Sequence, residues 1–203
     1  MSGLLAPTKG EVKAFDINLY RSKEKNLEKV RTRMGIVFQS GALLDYLTVG
    51  KNVSFGLERR SKLNKNQIQE KVLACLSAVG LQDAINLMPS ELSGGMRKRV
   101  GIARALATDP EILFYDEPVS GLDPITAFTI DSVIVDLNKR LKATSIIVSH
   151  DIYSVLRTTQ RTIFLHEGKV LWDGNSRDIE TVDIAELREV VDKAEAKSLQ
   201  IVN

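Results

Sequence analysis

Apolar residues along this chain follow two patterns that alternate. Met34–Phe38, Ile112–Tyr115 and Thr144–Val148 are short, mostly apolar runs, the pattern of strands buried on both faces. Between them lie helical repeats. From Asn64 to Val79 the apolar positions Ile68, Val72, Leu76 and Val79 keep helical spacing, and Gly80 follows where a left-handed C′ residue favours glycine. Ser93 begins a segment that runs through Arg97 to about Ala107 and stops at Asp109-Pro110. Asp123-Pro124 predicts an N-cap with proline at the first helical position, and Ile130, Val133, Ile134, Leu137 and Leu141 share one face behind it. Lys23–Arg33 and Asp151–Arg157 read as further helices, and Val182–Lys197 as a charged, amphipathic, peripheral one. Gly10–Leu19 alternates loosely as a strand leaving a Pro-Thr-Lys-Gly turn; Thr162–Val170 reads as a hairpin turning at Glu167-Gly168.

Buried strands alternating with amphipathic helices predict an α/β fold with a largely parallel sheet. The mainly helical stretch from about Val49 to Gly80 reads as a helical subdomain inserted into that core. No internal repeat or low-complexity linker interrupts the pattern.

Composition narrows the partners. The 203 residues hold 28 basic and 26 acidic side chains, a net charge of +2, which gives no support for binding nucleic acid or anionic lipid through bulk charge. The single cysteine, Cys75, has no internal disulfide partner and reads as a small buried residue on a helix. No run approaches the ~20 apolar residues that span a bilayer, and the N-terminus lacks the pattern of a signal peptide. The expectation is a cytoplasmic protein that reaches a membrane only by docking onto something already there.

The chemistry concentrates in two segments. Ser93-Gly94-Gly95 at a helix start presents backbone N–H groups, a hydroxyl and the positive end of the helix dipole, which suit a phosphate. Taken alone, it reads equally as a plain N-cap. Then Ile112-Leu113-Phe114-Tyr115-Asp116-Glu117-Pro118 sets two adjacent carboxylates just past a strand, the Walker B arrangement. There an aspartate helps hold Mg²⁺ at nucleotide phosphates and a glutamate orients or deprotonates the attacking water.

In order and spacing the chain resembles the ATPase subunit of the ABC transporter superfamily, over nearly its whole length. Ser93-Gly94-Gly95-Met96 is similar to the signature motif, with methionine where many members carry glutamine. Asp116 and Glu117 match Walker B, Ser120-Gly121-Leu122-Asp123 the D-loop, Gln39 the Q-loop glutamine and His150 the switch histidine. The resemblance implies a P-loop NTPase-like domain that uses ATP and Mg²⁺. It implies Glu117 as catalytic base, Asp116 and Gln39 at the metal, and Gln39 also sensing the attacking water and relaying the nucleotide state. It implies His150 on the γ-phosphate, and Ser93, Gly94 and Gly95 on ATP bound to the opposite subunit of a homodimer, with Asp123 at that dimer interface. The implied segments are a partial ATPase core with the Q-loop (1–48), a helical subdomain with the signature (49–107), further core (108–181) and a C-terminal helical tail (182–203). Arg97, Lys98 and Arg99 read as a solvated helix face or as phosphate contacts. Tyr46 and Leu47 resemble a surface that receives a membrane subunit, or else pack inward. His166 reads as structural.

The phosphate-binding loop Gly-x-x-x-x-Gly-Lys-Ser/Thr is absent; Gly50-Lys51-Asn52 and Gly168-Lys169-Val170 lack its glycine spacing and hydroxyl. No N-terminal aromatic is suited to stacking on adenine. Met1-Ser2-Gly3-Leu4-Leu5-Ala6-Pro7 resembles the end of the helix that follows such a loop, so the chain is expected to be a fragment, inactive alone, with exposed strand edges. Within the superfamily, Ser-Gly-Gly-Met-Arg-Lys-Arg-Val, Tyr-Asp-Glu-Pro-x-Ser-Gly-Leu-Asp-Pro-Ile and Val37–Leu43 resemble the ATPases of Mce-associated phospholipid transport systems, also known as toluene-tolerance or organic-solvent-resistance transporters. That implies integral-membrane permease subunits, an Mce-domain lipid-binding protein as partner, and a place on the inner face of the plasma membrane. The alternatives are the ATPase of a small-solute importer, for instance for amino acids, and a non-catalytic partner subunit.

Overall fold

The structure is a computed structural model, and it describes residues 5–60 and 62–200. Met1–Leu4, which the resemblance set inside a helix, lie outside the described residues, as do the last three residues of the tail segment.

The central layer is a three-stranded parallel sheet in the order β3 (Met34–Val37), β4 (Ile112–Asp116), β5 (Thr144–Val148). Its register sets Val37 beside Tyr115 and Tyr115 beside Ile147, so the three strands end along one rim. Parallel neighbours need crossover connections. Between β3 and β4 these are α2 (Val49–Arg60), α3 (Lys65–Ala78) and α4 (Gly94–Leu106); between β4 and β5 it is α5 (Pro124–Arg140). One apolar core joins the sheet to these helices through Val53, Leu76, Val100, Ile102, Leu113, Tyr115, Ile130 and Ile134.

Local chemistry accounts for where the helices begin. Asn64 accepts from the Gln67 N–H while the Gln67 side chain accepts from the Asn64 N–H, a complete capping box for α3. Asp123 accepts from the N–H groups of Ile125 and Thr126 at the start of α5, with Pro124 at the first turn as expected. Ahead of α1 (Glu24–Thr32), the Gly10–Leu19 stretch is not one strand. It folds back as β1 (Lys13–Ala14) and β2 (Ile17–Asn18), because Phe15 and Asp16 both take positive φ, the geometry of a tight hairpin turn.

A second apolar cluster joins α6 (Ile152–Thr158), the hairpin β6 (Arg161–His166) and β7 (Lys169–Asn175), and α7 (Ala185–Gln200). Leu187 and Val191 of α7 are buried, so this helix is packed against the body rather than merely peripheral.

β5 departs from the fully buried pattern. Among the described residues it pairs only with β4, and Val148 is 55% exposed at its end. The exposed strand edge expected from the sequence is therefore present here. On the hairpin, Ile163, Leu165 and Val170 are exposed too.

Cys75 sits inside α3, and burial pushes its thiol up to about 11. A thiol shifted by some two units carries about 10²-fold less reactive thiolate near neutral pH. The native chain should therefore react with a disulfide reagent about that much more slowly than the urea-unfolded chain, as progress curves at pH 8 would show. The folded value lies above the model value of 9.0, so stability held below pH 9 declines as pH rises toward 11.

Candidate functional site

The residues just beyond the three parallel strands come out on one rim, where open α/β sheets take their ligands. Gln39 follows β3, Asp116 and Glu117 end β4, and His150 follows β5. His150 Nδ1 lies 2.9 Å from the Glu117 carboxylate and hydrogen-bonds its Oε1. Glu117 Oε2 is buried with no hydrogen-bond partner among the described residues. A buried acceptor left unpaired costs about 1–3 kcal/mol, so this oxygen suits a ligand that brings a donor. Water is the simplest.

Glu117 also holds a strained backbone, φ +47°, in the left-handed region that non-glycine residues avoid at a cost of about 1–3 kcal/mol. Neighbours fix it there. Its N–H donates to the Val148 carbonyl at 2.9 Å, and its carbonyl accepts from the Ser120 N–H at 3.2 Å. The Gln39 side chain reaches the same turn, Nε2 donating to Ser120 Oγ at 3.2 Å. Gln39, Glu117 and His150, far apart in sequence, are thus brought together around one turn. Asp116 lies beside them, exposed at the end of β4.

The second group surrounds the start of α4. Ser93 caps that helix, its Oγ accepting from the Met96 N–H at 3.2 Å. The N–H groups of Gly94 and Gly95 belong to the first turn, where a helix has no internal acceptors for them. A Cβ on Gly95 would fall 2.5 Å from Thr126 Cγ2, so the starts of α4 and α5 pack at glycine distance. Asp123 stands at this second helix start. Hydrogen bonds from the Thr126 side chain and then its backbone hold the Asp123 carboxyl below the usual aspartate range.

The turn carrying Gln39 is locked to α4. Gly41 has φ +76°, and a Cβ there would lie 2.8 Å from the Arg97 carbonyl. Arg104 donates to the carbonyls of Gly41 at 2.8 Å and Ala42 at 2.6 Å. Beyond it, buried Asn52 accepts from the Leu44 N–H and donates to the carbonyls of Leu44, Leu47 and Thr48. That loop carries Tyr46, which is 75% exposed and so does not pack inward.

The basic run resolves into three different environments. Arg97 is exposed, Arg99 donates to the Val79 carbonyl at 3.1 Å, and Lys98 is buried. Lys98 Nζ donates to the carbonyls of Ser120 at 2.7 Å and Glu117 at 3.3 Å. Burial pushes this ammonium below the usual lysine range, and the nearby Glu117 charge offsets part of that. Neither sequence reading of the run, a solvated face or phosphate contacts, describes Lys98. Ser120, Asn52 and Arg104 were likewise not singled out. Only a polar residue at a helix position otherwise inward-facing, as for Asn52 and Lys98, could have signalled them. His166 is exposed and stacks on Phe164 with ring centroids 6.4 Å apart.

Comparison with known proteins agrees with this arrangement. The family described as ABC transporter matches residues 1–120. The intermembrane phospholipid transport system ATP-binding protein MlaF of Haemophilus influenzae is 42% identical over 88% of this chain and 68% of its own length. The methionine import ATP-binding protein MetN 2 of Bacillus cereus is 39% identical over 86% of this chain, which spans about half, 51%, of that relative. Among solved structures, the ATP-binding cassette MJ0796, dimeric in a post-hydrolysis state with ADP and Pi, superposes with a TM-score of 0.76 at 33% identity, covering 87% of this chain and 77% of that one. With its α/β core, its signature, its paired carboxylates and these relatives, the chain belongs to the ATP-binding subunits of the ABC transporter family.

Proposed function

We propose that this chain supplies the hydrolytic carboxylate, the switch histidine and the signature surface of an ATPase that drives phospholipid transport between membranes. The observation that carries the reading is the hydrogen bond between His150 and Glu117, which sets a carboxylate with one free buried oxygen at the C-terminal rim of a parallel sheet. Glu117 Oε2 takes the proton of the attacking water, and His150 fixes the carboxylate's direction and lies ready to donate to the transferring phosphate. Gln39, bonded to Ser120, connects the metal and water side of the site to the loop that exposes Tyr46. Ser93, Gly94 and Gly95 offer the start of α4 to the phosphates of ATP held by a second copy, and Asp123 lies at that contact. The four segments proposed from the sequence, with boundaries at residues 48, 107 and 181, remain our division of the chain.

Mg²⁺ fits this site only as a shared ion. Asp116 and Gln39 contribute two side-chain oxygens, and no group of three or more His, Cys, Asp or Glu side chains among the described residues could hold a metal. Mg²⁺ ordinarily takes one or two carboxylates together with substrate phosphates and water, and such an ion neutralises phosphate charge. Asp116 and Gln39 would hold it.

No helix among the described residues is long and apolar enough to cross a membrane. Coupling to transport therefore needs permease subunits, and exposed Tyr46 with Leu47 is the proposed contact. The lipid reading follows from the relative named for intermembrane phospholipid transport, together with the Ser-Gly-Gly-Met-Arg-Lys-Arg-Val segment. An Mce-domain protein is the accompanying partner. A second reading, amino-acid import, is favoured by the methionine-import relative. Neighbouring genes separate the two: an Mce-domain protein and a lipid permease support the first, a periplasmic solute-binding protein the second.

The direct test concerns nucleotide. These 203 residues contain no Gly-x-x-x-x-Gly-Lys-Ser/Thr, so the chain alone should bind MgATP negligibly by calorimetry. Joining a strand, P-loop and helix from an ABC cassette to its N-terminus should restore both binding and turnover. Turnover by the unextended chain equal to that of the extended one would overturn the reading.

A further inference from the structure

Lys98 is the one member of the basic run that is buried, 7% exposed, and the function proposed above makes no use of it. Lysine is rarely buried unless its ammonium is satisfied. Here two carbonyls satisfy it, and they are the two ends of one turn: Glu117 O at 3.3 Å and Ser120 O at 2.7 Å. The partners are informative. That turn carries the φ +47° strain of Glu117, and its own closing bond, from the Ser120 N–H, goes to the same Glu117 carbonyl at 3.2 Å. Lys98 itself projects from α4 just over one turn beyond the Ser93 cap. With two carbonyls engaged and the side chain enclosed, its ammonium is committed to protein rather than to a phosphate outside.

We propose that Lys98 is a positioning residue for Glu117, a strut from the signature helix that holds the Glu117–Ser120 turn in its strained form. The start of α4 and the carboxylate then move as one body. A nucleotide settling on Ser93–Gly95 is felt by Glu117 of the same chain, which links the two sites of a dimer. This rests on the reading of Glu117 as general base and of Ser93–Gly95 as a nucleotide surface.

The test is amide hydrogen exchange on the full chain, wild type against Lys98→Met, Lys98→Arg, Ser93→Ala and the Ser93→Ala/Lys98→Met double variant. Bonds from a charged donor are worth enough that their loss should speed exchange of the Val119–Leu122 amides by about tenfold or more. Ile112–Tyr115 should keep wild-type protection, and Lys98→Arg, which retains a cationic donor, should keep most of the protection of the turn. Ser93→Ala should loosen the same amides in the wild type and add little in the Lys98→Met background, the signature of two sites acting through one group. Unchanged exchange at Val119–Leu122 in folded Lys98→Met overturns the proposal. So does a Ser93→Ala effect of equal size with and without Lys98. If Lys98→Met fails to give a wild-type circular dichroism spectrum, Lys98→Gln, with a shorter neutral donor, takes its place with the same expected ordering. Failure of the Glu117 assignment is distinguishable: turnover would survive Glu117→Gln in the P-loop-extended chain while the exchange pattern stayed as described.

Discussion

Glu117→Gln in the P-loop-extended chain is expected to lower ATP turnover by about 10²–10⁴-fold, the usual range for removing a general base. That is about 3–5 kcal/mol of transition-state stabilisation. Glutamine keeps the length and shape of the side chain and strains the φ +47° backbone no more than glutamate does, so the turn should survive. What it loses is the ability to take a proton at Oε2, the buried oxygen that has no partner. ATP affinity should change little, because the signature surface and the added P-loop are untouched. A fall in kcat with unchanged KM is the pattern of an interaction made only in the transition state. Single-turnover hydrolysis and equilibrium ATP binding measured side by side would check it. Equal losses in both would mean that Glu117 serves binding instead.

Arg157→Leu should be the most costly change for the fold among those outside the apolar core. Asp131 of α5 is only 1% exposed, and three hydrogen bonds satisfy its carboxylate: Ser154 Oγ at 2.6 Å, Arg157 Nε at 2.8 Å and Arg157 Nη2 at 2.7 Å. Removing the guanidinium leaves a buried charge with a single hydroxyl. Breaking such a pair from one side costs about 3–5 kcal/mol. The Arg157 side chain is 35% exposed, so solvent already screens part of the attraction, and about 3 kcal/mol is the appropriate end of that range. For a domain of this size the corresponding fall in melting temperature is about 6–12 °C. Ser154→Ala removes one neutral donor and should cost about 1 kcal/mol, leaving the two arginine bonds in place. Thermal or urea unfolding of both variants would give the ordering, and a smaller loss for Arg157→Leu than for Ser154→Ala would contradict this account. The consequence reaches the site. Arg157 and Ser154 lie on α6, whose Asp151 cap directly follows His150, so the ion pair with α5 helps fix where the histidine stands.

Much of this was legible in the chain itself. Apolar runs and helical spacing determine β3, β4, β5, α3 and α5 because each pattern matches one backbone period and buries one face. Asn64, Ser93 and Asp123 mark helix starts because their side-chain oxygens satisfy N–H groups that a helix leaves open. The motifs from Gln39 to His150 identify the family because five of them keep their order. Their local spacing also sets each functional residue just past a strand or at a helix start.

What the sequence left open depends on contacts between residues distant along the chain. Parallel pairing sets the ends of β3, β4 and β5 side by side, and only then does His150 meet Glu117 across 33 positions. Lys98 looked like a surface charge because its neighbours Arg97 and Arg99 are basic. It is buried because a turn from another part of the chain supplies two carbonyls for its ammonium. The exposure of β5 at Val148 is likewise a matter of what lies beside it rather than of its own residues. Sequence determined which side chains could do this chemistry and on which elements they sit. The tertiary structure decided which of them meet, because hydrogen bonds across such separations exist only once the sheet and helices have closed the distance.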